Sequence, residues 1–223
     1  MADAQDHPYD RLIGALAADL RPVRPLLSPP LRALIWLALV VAIAAVLAVF
    51  ASLAAMWQRL TEAPDMWLAV LGSTATTATA ALAAFELSLP DRSRAWALLP
   101  LPAFALWVAA SGLGCLRAYV LSGTHVASMD ETRDCLVFIV GLSVPLSAAL
   151  ILMLRQACSL APGLTATMAG LASAAAAATL LNFFHPYDAA AIDLTVHLFA
   201  VGIVVVALRM VGSRVLQKFS PEL

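Results

Sequence analysis

The chain has 223 residues, of which 62% are hydrophobic and only 12% charged, with a formal net charge of −1 and a mean hydropathy of +0.90. A soluble domain is typically about a quarter charged, so the composition excludes an ordinary soluble protein and predicts an integral membrane protein. The three cysteines form no CxxC pair, and no P-loop, GxGxxG, HExxH or GxSxG signature occurs; we therefore expect no enzymatic activity.

A short amphipathic helix is predicted near the N-terminus, in "DRLIGALAADLRPVRPLLSPPLR", residues 10–32. Asp10 is a plausible N-cap, Pro22 ends the helix, and further prolines form a stiff spacer before the membrane. A helix this short is marginal in water, so its apolar stripe packs against the bilayer, its own bundle or a partner that orders it on binding. The stripe consists of Leu12, Ile13, Leu16 and Leu20.

Six segments are long and apolar enough to cross a bilayer, which takes roughly 20 residues each. We therefore predict an all-α fold, an integral membrane bundle of six transmembrane helices preceded by the short amphipathic helix. The fifth segment is rich in small side chains that let helices approach closely, so it is expected inside the bundle. The predicted spans are Leu31–Ala55, Met66–Leu87, Trp96–Tyr119, Leu136–Leu154, Leu164–Phe184 and Ile192–Met210.

The distribution of Lys and Arg predicts the orientation, because cytoplasmic segments are enriched in both. With the N-terminus in the cytoplasm, ten of these residues lie inside and three outside, so both termini are predicted to be cytoplasmic. This divides the chain into a cytoplasmic N-terminal segment (1–30), a transmembrane domain (31–211) and a cytoplasmic tail (212–223).

Four tryptophans lie near predicted span ends, where amphipathic rings favour the membrane interface. We interpret them as interfacial anchors. They are Trp36, Trp57, Trp67 and Trp96.

Metal-binding and titratable side chains gather on the predicted outer side. Thiolate and imidazole suit metals such as zinc or copper, although loop histidines are often only solvated and a cysteine in an apolar helix often only packs. Asp193 and His197 share a helix face and are also suited to bonding each other. Cys158, on the inner side, is expected to be inert. The outer set comprises Cys115, His125, Asp130, Glu131, Asp134, Cys135, His185, Tyr187, Asp188, Asp193 and His197.

Several stretches resemble the NrsF-type anti-sigma factors. The N-terminal "LIGALAADLRPVRPL" and "PPLRALIWL" are similar to the opening of that family. The likeness continues through "DCLVFIVGLSVPLSAALILMLRQA", "PGLTATMAGLASAAAAATLLNFFHP" and "DLTVHLFAVGIVVVALRMVGSRVL", and covers roughly residues 9–216. It implies a cytoplasmic segment that holds an extracytoplasmic-function (ECF) sigma factor, and two outward-facing cysteines that sense metal or oxidative stress.

The first family cysteine falls on Cys135, whereas the second falls on His185, in "FHP" where the family tends to have "hCp". A Cys135–His185 pair cannot form a disulfide, but it can bind a metal. Three interpretations of the sensing site stay open. Cys135 binds a metal together with His185, His197 or an acid; Cys135 forms a disulfide with Cys115; or the chain has lost the sensing function.

The resemblance thus predicts a membrane-bound anti-sigma factor in the bacterial inner membrane. Its partners are expected to be an ECF sigma factor and the lipid bilayer, with no direct nucleic acid. It would need no cofactor, and a zinc, copper or cadmium type ion would act only as a transient signal. The alternative is a small metal or cation transporter, which would need ionisable groups at mid-bilayer. A third interpretation is a membrane redox enzyme with Cys135 as its active thiol, but the chain has no CxxC partner to resolve that thiol.

Overall fold

The fold consists of helices throughout the described part of the chain. The computed structural model describes residues 9–18, 25–62, 64–121, 129–182 and 191–218, and these contain helices and no strand. A five-residue 3₁₀ helix at Arg94–Leu98 precedes α5. The α-helices are α1 (Asp10–Ala18), α2 (Pro29–Phe50), α3 (Leu53–Glu62), α4 (Pro64–Leu87), α5 (Leu101–Leu121), α6 (Met129–Leu154), α7 (Pro162–Leu181) and α8 (Ala191–Lys218).

Six of the helical segments are long and apolar enough to cross a membrane, namely α2, α4, the 3₁₀ helix with α5, α6, α7 and α8. The predicted all-α architecture with six spans is therefore confirmed, and the chain is a multi-pass membrane protein. Successive spans run in opposite directions, so the bundle has an N-terminal side, where α2 begins, and an opposite side, where α2 ends.

Helix α7 forms the centre of the bundle, as its small side chains predict. Of its apolar window 78% is buried, against 11% for α2, and α7 packs on α8, α4 and α6. A Cβ added at Gly170 would lie 2.9 Å from the Cα of Val205 on α8. The close approach of α7 and α8 therefore depends on the absence of a side chain at Gly170.

Side-chain hydroxyls join the helices at both ends of the bundle. On the N-terminal side, Ser159 and Thr165 both donate to the carbonyl of Leu87, at 3.0 and 3.1 Å. That carbonyl lies at the last residue of α4, where helix carbonyls lack intrahelical partners. Towards the opposite side, the Thr179 hydroxyl on α7 donates to the Ser73 hydroxyl on α4 at 2.9 Å.

The first predicted span divides into two helices. Helix α2 ends at Phe50, Ala51 is extended with φ −94° and ψ 152°, and α3 begins at Leu53. After the turn, the Ser52 carbonyl accepts the first backbone hydrogen bond of α3, from the N–H of Met56 at 3.0 Å. Helix α3 was not predicted from the sequence, and its first residues were assigned to the first span.

Two other boundaries differ from the prediction. The third span begins as a 3₁₀ helix and becomes α-helical only from Leu101, because Pro100 and Pro102 each lack the N–H that an α-helix interior needs. Helix α8 continues past Met210 to Lys218, and Leu216 is only 3% exposed. Part of the segment assigned to the tail therefore packs in the core.

The interfacial interpretation of Trp36 is wrong. Trp36 is fully buried and belongs to the main apolar core, whereas Trp57 and Trp67 are 61% and 47% exposed. Trp36 lies in the second turn of α2, facing α4 and α6, so its ring fills space between helices.

Candidate functional site

Helix α1 carries the first set of predicted site residues. The backbone N–H of Ile13 donates to the Tyr9 carbonyl at 2.8 Å, so Tyr9 occupies the N-cap position that the sequence analysis assigned to Asp10, and the helix begins at Asp10. The helix ends at Ala18. Leu20, the fourth residue of the predicted stripe, lies outside the described residues.

The apolar stripe of α1 is exposed along its described length. Leu12, Ile13 and Leu16 are 55%, 61% and 62% exposed, and no residue of α1 is buried. Three surfaces were left open for this stripe on sequence grounds. One of them, the bundle of described helices, does not cover it. A bilayer surface and a partner protein remain as surfaces that suit it.

The chain that follows α1 enters the bundle through the first two turns of α2. Pro29 and Pro30 open this helix, because proline is favoured where the N–H would lack a partner anyway. The fully buried residues of α2 all lie in this part, while Leu37, Val40 and Ile43 further along pack against the core only in part. The buried residues are Pro29, Arg32, Ala33 and Trp36.

Arg32 joins the start of α2 to the end of α6. Its Nη2 donates to the carbonyl of Met153, which is available because the N–H of Ala157 donates to the Leu154 carbonyl instead. The guanidinium carbon lies 4.8 Å from the centre of the Phe85 ring, within cation–π distance. Arg32 thus caps α6 at the end where the helix dipole favours a cation.

Trp36 makes the second link between the same two helices. Its indole Nε1 donates to the carbonyl of Leu146 at 3.2 Å, one residue beyond Pro145 inside α6. Arg32 and Trp36 are four residues apart and therefore share one face of α2. We call Arg32, Trp36 and their two acceptor carbonyls on α6 the α2–α6 junction.

Cys135 lies in the other half of α6. It is 6% exposed and packs in an apolar cluster to which α7 and α8 also contribute. Eighteen residues separate it from Met153, about 27 Å along a helix axis. A single helix thus connects the predicted sensing cysteine with the junction that holds the start of α2. The buried cluster consists of Cys135, Ile139, Ala177, Ala178, Leu181 and Ala200.

The structure brings two of the predicted sensor residues to the same end of the bundle. Val196 on α8 packs against the Cys135 cluster, and His197 is the next residue, with intermediate exposure. His185 lies outside the described residues, as does the side chain of Cys115 on α5. Among the residues whose side chains are described, no three His, Cys, Asp or Glu side chains gather as a metal site, so the predicted site with His185 stays a prediction.

A buried acid lies at the N-terminal side of the bundle. Glu86, in the last turn of α4, is 6% exposed, and Arg92 Nε lies 3.1 Å from its Oε2. Arg92 is half exposed, so the pair is close to solvent and is best explained as a structural tie between α4 and the following loop.

Sequence reasoning missed the α2–α6 junction. Arg32 was counted only as a cytoplasmic charge and Trp36 only as an interfacial anchor. The signal was present in their spacing, because two large hydrogen-bond donors at i and i+4 on an otherwise apolar helix indicate a face that needs acceptors.

The comparisons with known proteins agree with this architecture. The family model described as "NrsF: Negative regulator of sigma F" matches residues 16–217, from the last part of α1 to the last turn of α8. No curated protein and no solved structure matches. Because the family model covers most of the chain, this protein belongs to the NrsF family.

Proposed function

We propose that the protein is a membrane-bound anti-sigma factor that holds an ECF sigma factor through α1 and releases it on a metal or redox signal. One observation carries the proposal, namely the apolar stripe of α1 that the bundle leaves uncovered in a chain of this family. An amphipathic helix of this kind suits the helix-in-groove mode of recognition, in which spaced apolar anchors enter a groove of the partner.

The proposal places the protein in the bacterial inner membrane with both termini in the cytoplasm. The ten-to-three distribution of Lys and Arg between the two sides supports this orientation. In that orientation α1 meets cytoplasmic partners, and the Cys135 cluster lies in the half of the bundle that faces the periplasm.

The burial of Cys135 supports a coupling between the signal and the packing of the helices. A metal ion or an oxidant has to reach a thiol that is 6% exposed and surrounded by apolar side chains of α6, α7 and α8. Any group added to the sulfur needs space that a close-packed cluster lacks, so the reaction has to displace these helices. Through α6 the displacement reaches the α2–α6 junction and the chain that leads to α1.

The signal also has to be strong enough to release the partner. Changing a population from 1:99 to 99:1 requires a preference of about 5.5 kcal/mol for the released state. Structural zinc in zinc-finger peptides supplies apparent free energies of about 10–16 kcal/mol, so a metal–thiolate site of Cys135, His197 and His185 is adequate if it forms only in the released state. One added hydrogen bond is worth about 1 kcal/mol, which is too little to release the partner.

A reporter for the sigma factor tests the proposal. Deletion of the protein is expected to raise transcription from a promoter that depends on the ECF sigma factor, and the full chain restores repression. A reporter that deletion leaves unchanged would overturn the assignment. If deletion instead changes only the accumulation of metal in cells, the transporter alternative is favoured.

The Cys135→Ser variant tests the sensor. We expect it to repress as the unaltered protein does but to lose induction by metal or oxidant, because serine is a much weaker ligand for soft metals and forms no disulfide. Cys158→Ser is the matched control, since Cys158 is exposed on the N-terminal side and should leave induction unchanged. Normal induction in Cys135→Ser would contradict the assignment of the sensor.

A further inference from the structure

Helix α3 presents a second exposed apolar stripe, on the side of the bundle where α2 ends. It spans Leu53–Glu62, between the end of α2 and the start of α4. Leu53, Met56 and Trp57 fall at i, i+3 and i+4 and share one helix face. We propose that α3 lies in the plane of the membrane interface and binds the lipid of that leaflet through this stripe.

The exposure of the stripe shows that the described bundle does not cover it. Leu53 is 50% and Trp57 61% exposed, Met56 between them is partly exposed, and the main contacts of α3 are with α4, the next helix in the chain. Gln58, on the other face, is exposed as well. The two faces differ in chemistry rather than in exposure, which is the pattern of a helix at an apolar–aqueous boundary.

The position of α3 identifies lipid as the occupant. The last turns of α2, a membrane span, are strongly exposed at Val46, Val49 and Phe50, by 60%, 79% and 77%. These side chains belong to the surface that faces acyl chains. The chain turns at Ala51, and the apolar stripe of α3 begins two residues later. The stripe therefore continues the lipid-facing surface of α2 where that span leaves the hydrocarbon.

A second tryptophan strengthens the assignment. Trp67, in the first turns of α4, is 47% exposed and lies near the same end of the bundle as α3, which directly precedes α4. Tryptophans are enriched where the hydrocarbon meets the headgroups, since one end of the ring is apolar and the other donates a hydrogen bond.

The charges of α3 indicate which lipid property matters. The helix carries one cation, Arg59, and one anion, Glu62, so their formal charges cancel. Insertion therefore depends on buried apolar area rather than on attraction to anionic headgroups. This inference does not depend on the proposed sigma-factor binding, which involves the other side of the membrane.

Spin labels on the two faces of α3 test the proposal. Met56→Cys places a nitroxide on the stripe, and Gln58→Cys places a matched label on the opposite face, each in a full chain whose native cysteines are replaced by alanine. The chain is reconstituted in phosphatidylcholine vesicles, with and without phosphatidylglycerol. Oxygen partitions into the bilayer, whereas a neutral nickel complex stays in water, so the two relaxation rates report the depth of each label.

We expect the ratio of oxygen to nickel accessibility to be severalfold higher at position 56 than at position 58, and unchanged by phosphatidylglycerol. Equal, water-like ratios at both positions would overturn the proposal. A label at position 56 that is shielded from both reagents would overturn it too, because that result identifies a protein surface such as a second copy. A ratio that rises only with phosphatidylglycerol would refute the apolar mode of binding.

A second measurement avoids the cysteine substitutions. Lipids brominated near the headgroup quench tryptophan fluorescence, and Trp57→Phe in the otherwise unaltered chain should remove part of that quenching. Lipids brominated deep in the acyl chain should quench the variant and the unaltered chain more nearly alike. Headgroup-level quenching that Trp57→Phe leaves unchanged would contradict the interfacial position of α3.

Discussion

The stripe of α1 makes the sharpest prediction, since one charge on it should release the sigma factor. Leu16 is 62% exposed, and full burial of a leucine side chain is worth about 1.5–3 kcal/mol, so covering the exposed part contributes about 1–2 kcal/mol. Leu16→Asp forfeits that contribution and brings a carboxylate into an apolar groove. We expect a total loss of about 2–4 kcal/mol, or roughly 30- to 700-fold in Kd.

Ala18→Asp is the matched control for this change. Ala18 is also exposed in α1, and at 100° per residue it lies on the face opposite to Leu12 and Leu16. The control carries the same charge near the same end of the helix and a similar cost in helix propensity, roughly 0.5 kcal/mol. Any difference in Kd between the two variants therefore arises from the face of the helix on which the charge lies.

The assay is the binding of a fluorescently labelled sigma factor to the full chain in detergent or nanodiscs, at one fixed salt concentration. Ala18→Asp should bind within a few fold of the unaltered chain, and Leu16→Asp far more weakly. Equal weakening by both variants would mean that helix formation, and not the stripe, limits binding. If neither variant weakens binding, the sigma factor binds to another part of the chain.

Three further substitutions test the packing that holds α2 and the bundle. Trp36→Phe loses a hydrogen bond worth about 0.6 kcal/mol in a membrane protein and leaves a void, so unfolding in detergent should be easier by about 1–3 kcal/mol. Gly72→Ala should destabilise by about 1–3 kcal/mol, because the new Cβ would lie 2.7 Å from the backbone of Trp107. Arg32→Met replaces a buried cation by a side chain of similar length. It also removes the donor to the Met153 carbonyl and leaves that acceptor without this hydrogen bond. The start of α2 is then no longer held on α6, so the reporter should lose its response to metal or oxidant.

Each of these substitutions has its own check. Trp67→Phe changes a half-exposed ring and should leave stability almost unaltered. Gly141→Ala adds a methyl group with nothing within 4 Å, so it should be neutral or stabilising. An equal effect in the control and in the buried variant would refute the packing argument. For Arg32→Met, a full response of the reporter would show that the α2–α6 junction does not transmit the signal.

Much of the fold was predictable because each span carries its own signal. A run of about 20 apolar residues has few stable alternatives to a membrane-spanning helix, and all six predicted spans correspond to helices. The boundaries were less predictable where short-range effects compete with hydropathy. Ser52 opens α3 within a stretch that hydropathy assigns to the first span, and two prolines delay α5 until Leu101.

The candidate site was predictable only in part. The stripe of α1 follows from the helical period alone, and the placement of Cys135 and His197 in the same half of the bundle follows from the order of the spans. That Arg32 and Trp36 donate to α6 was not predictable, since their acceptors lie 121 and 110 residues away in the chain. Hydropathy also describes Trp36 equally well as an interfacial anchor and as a core residue.

The sequence by itself determined the six spans, the asymmetry of charge between the two sides and the apolar stripe of α1. These are local properties, set by how each segment partitions between water and lipid. The tertiary structure alone decided which surfaces are covered. Among the described helices, it leaves the apolar stripes of α1 and α3 largely exposed, buries Cys135 in α6 against α7 and α8, and ties α2 to α6. The reason is that burial depends on partners distant in the chain, and neither composition nor periodicity records where those partners lie.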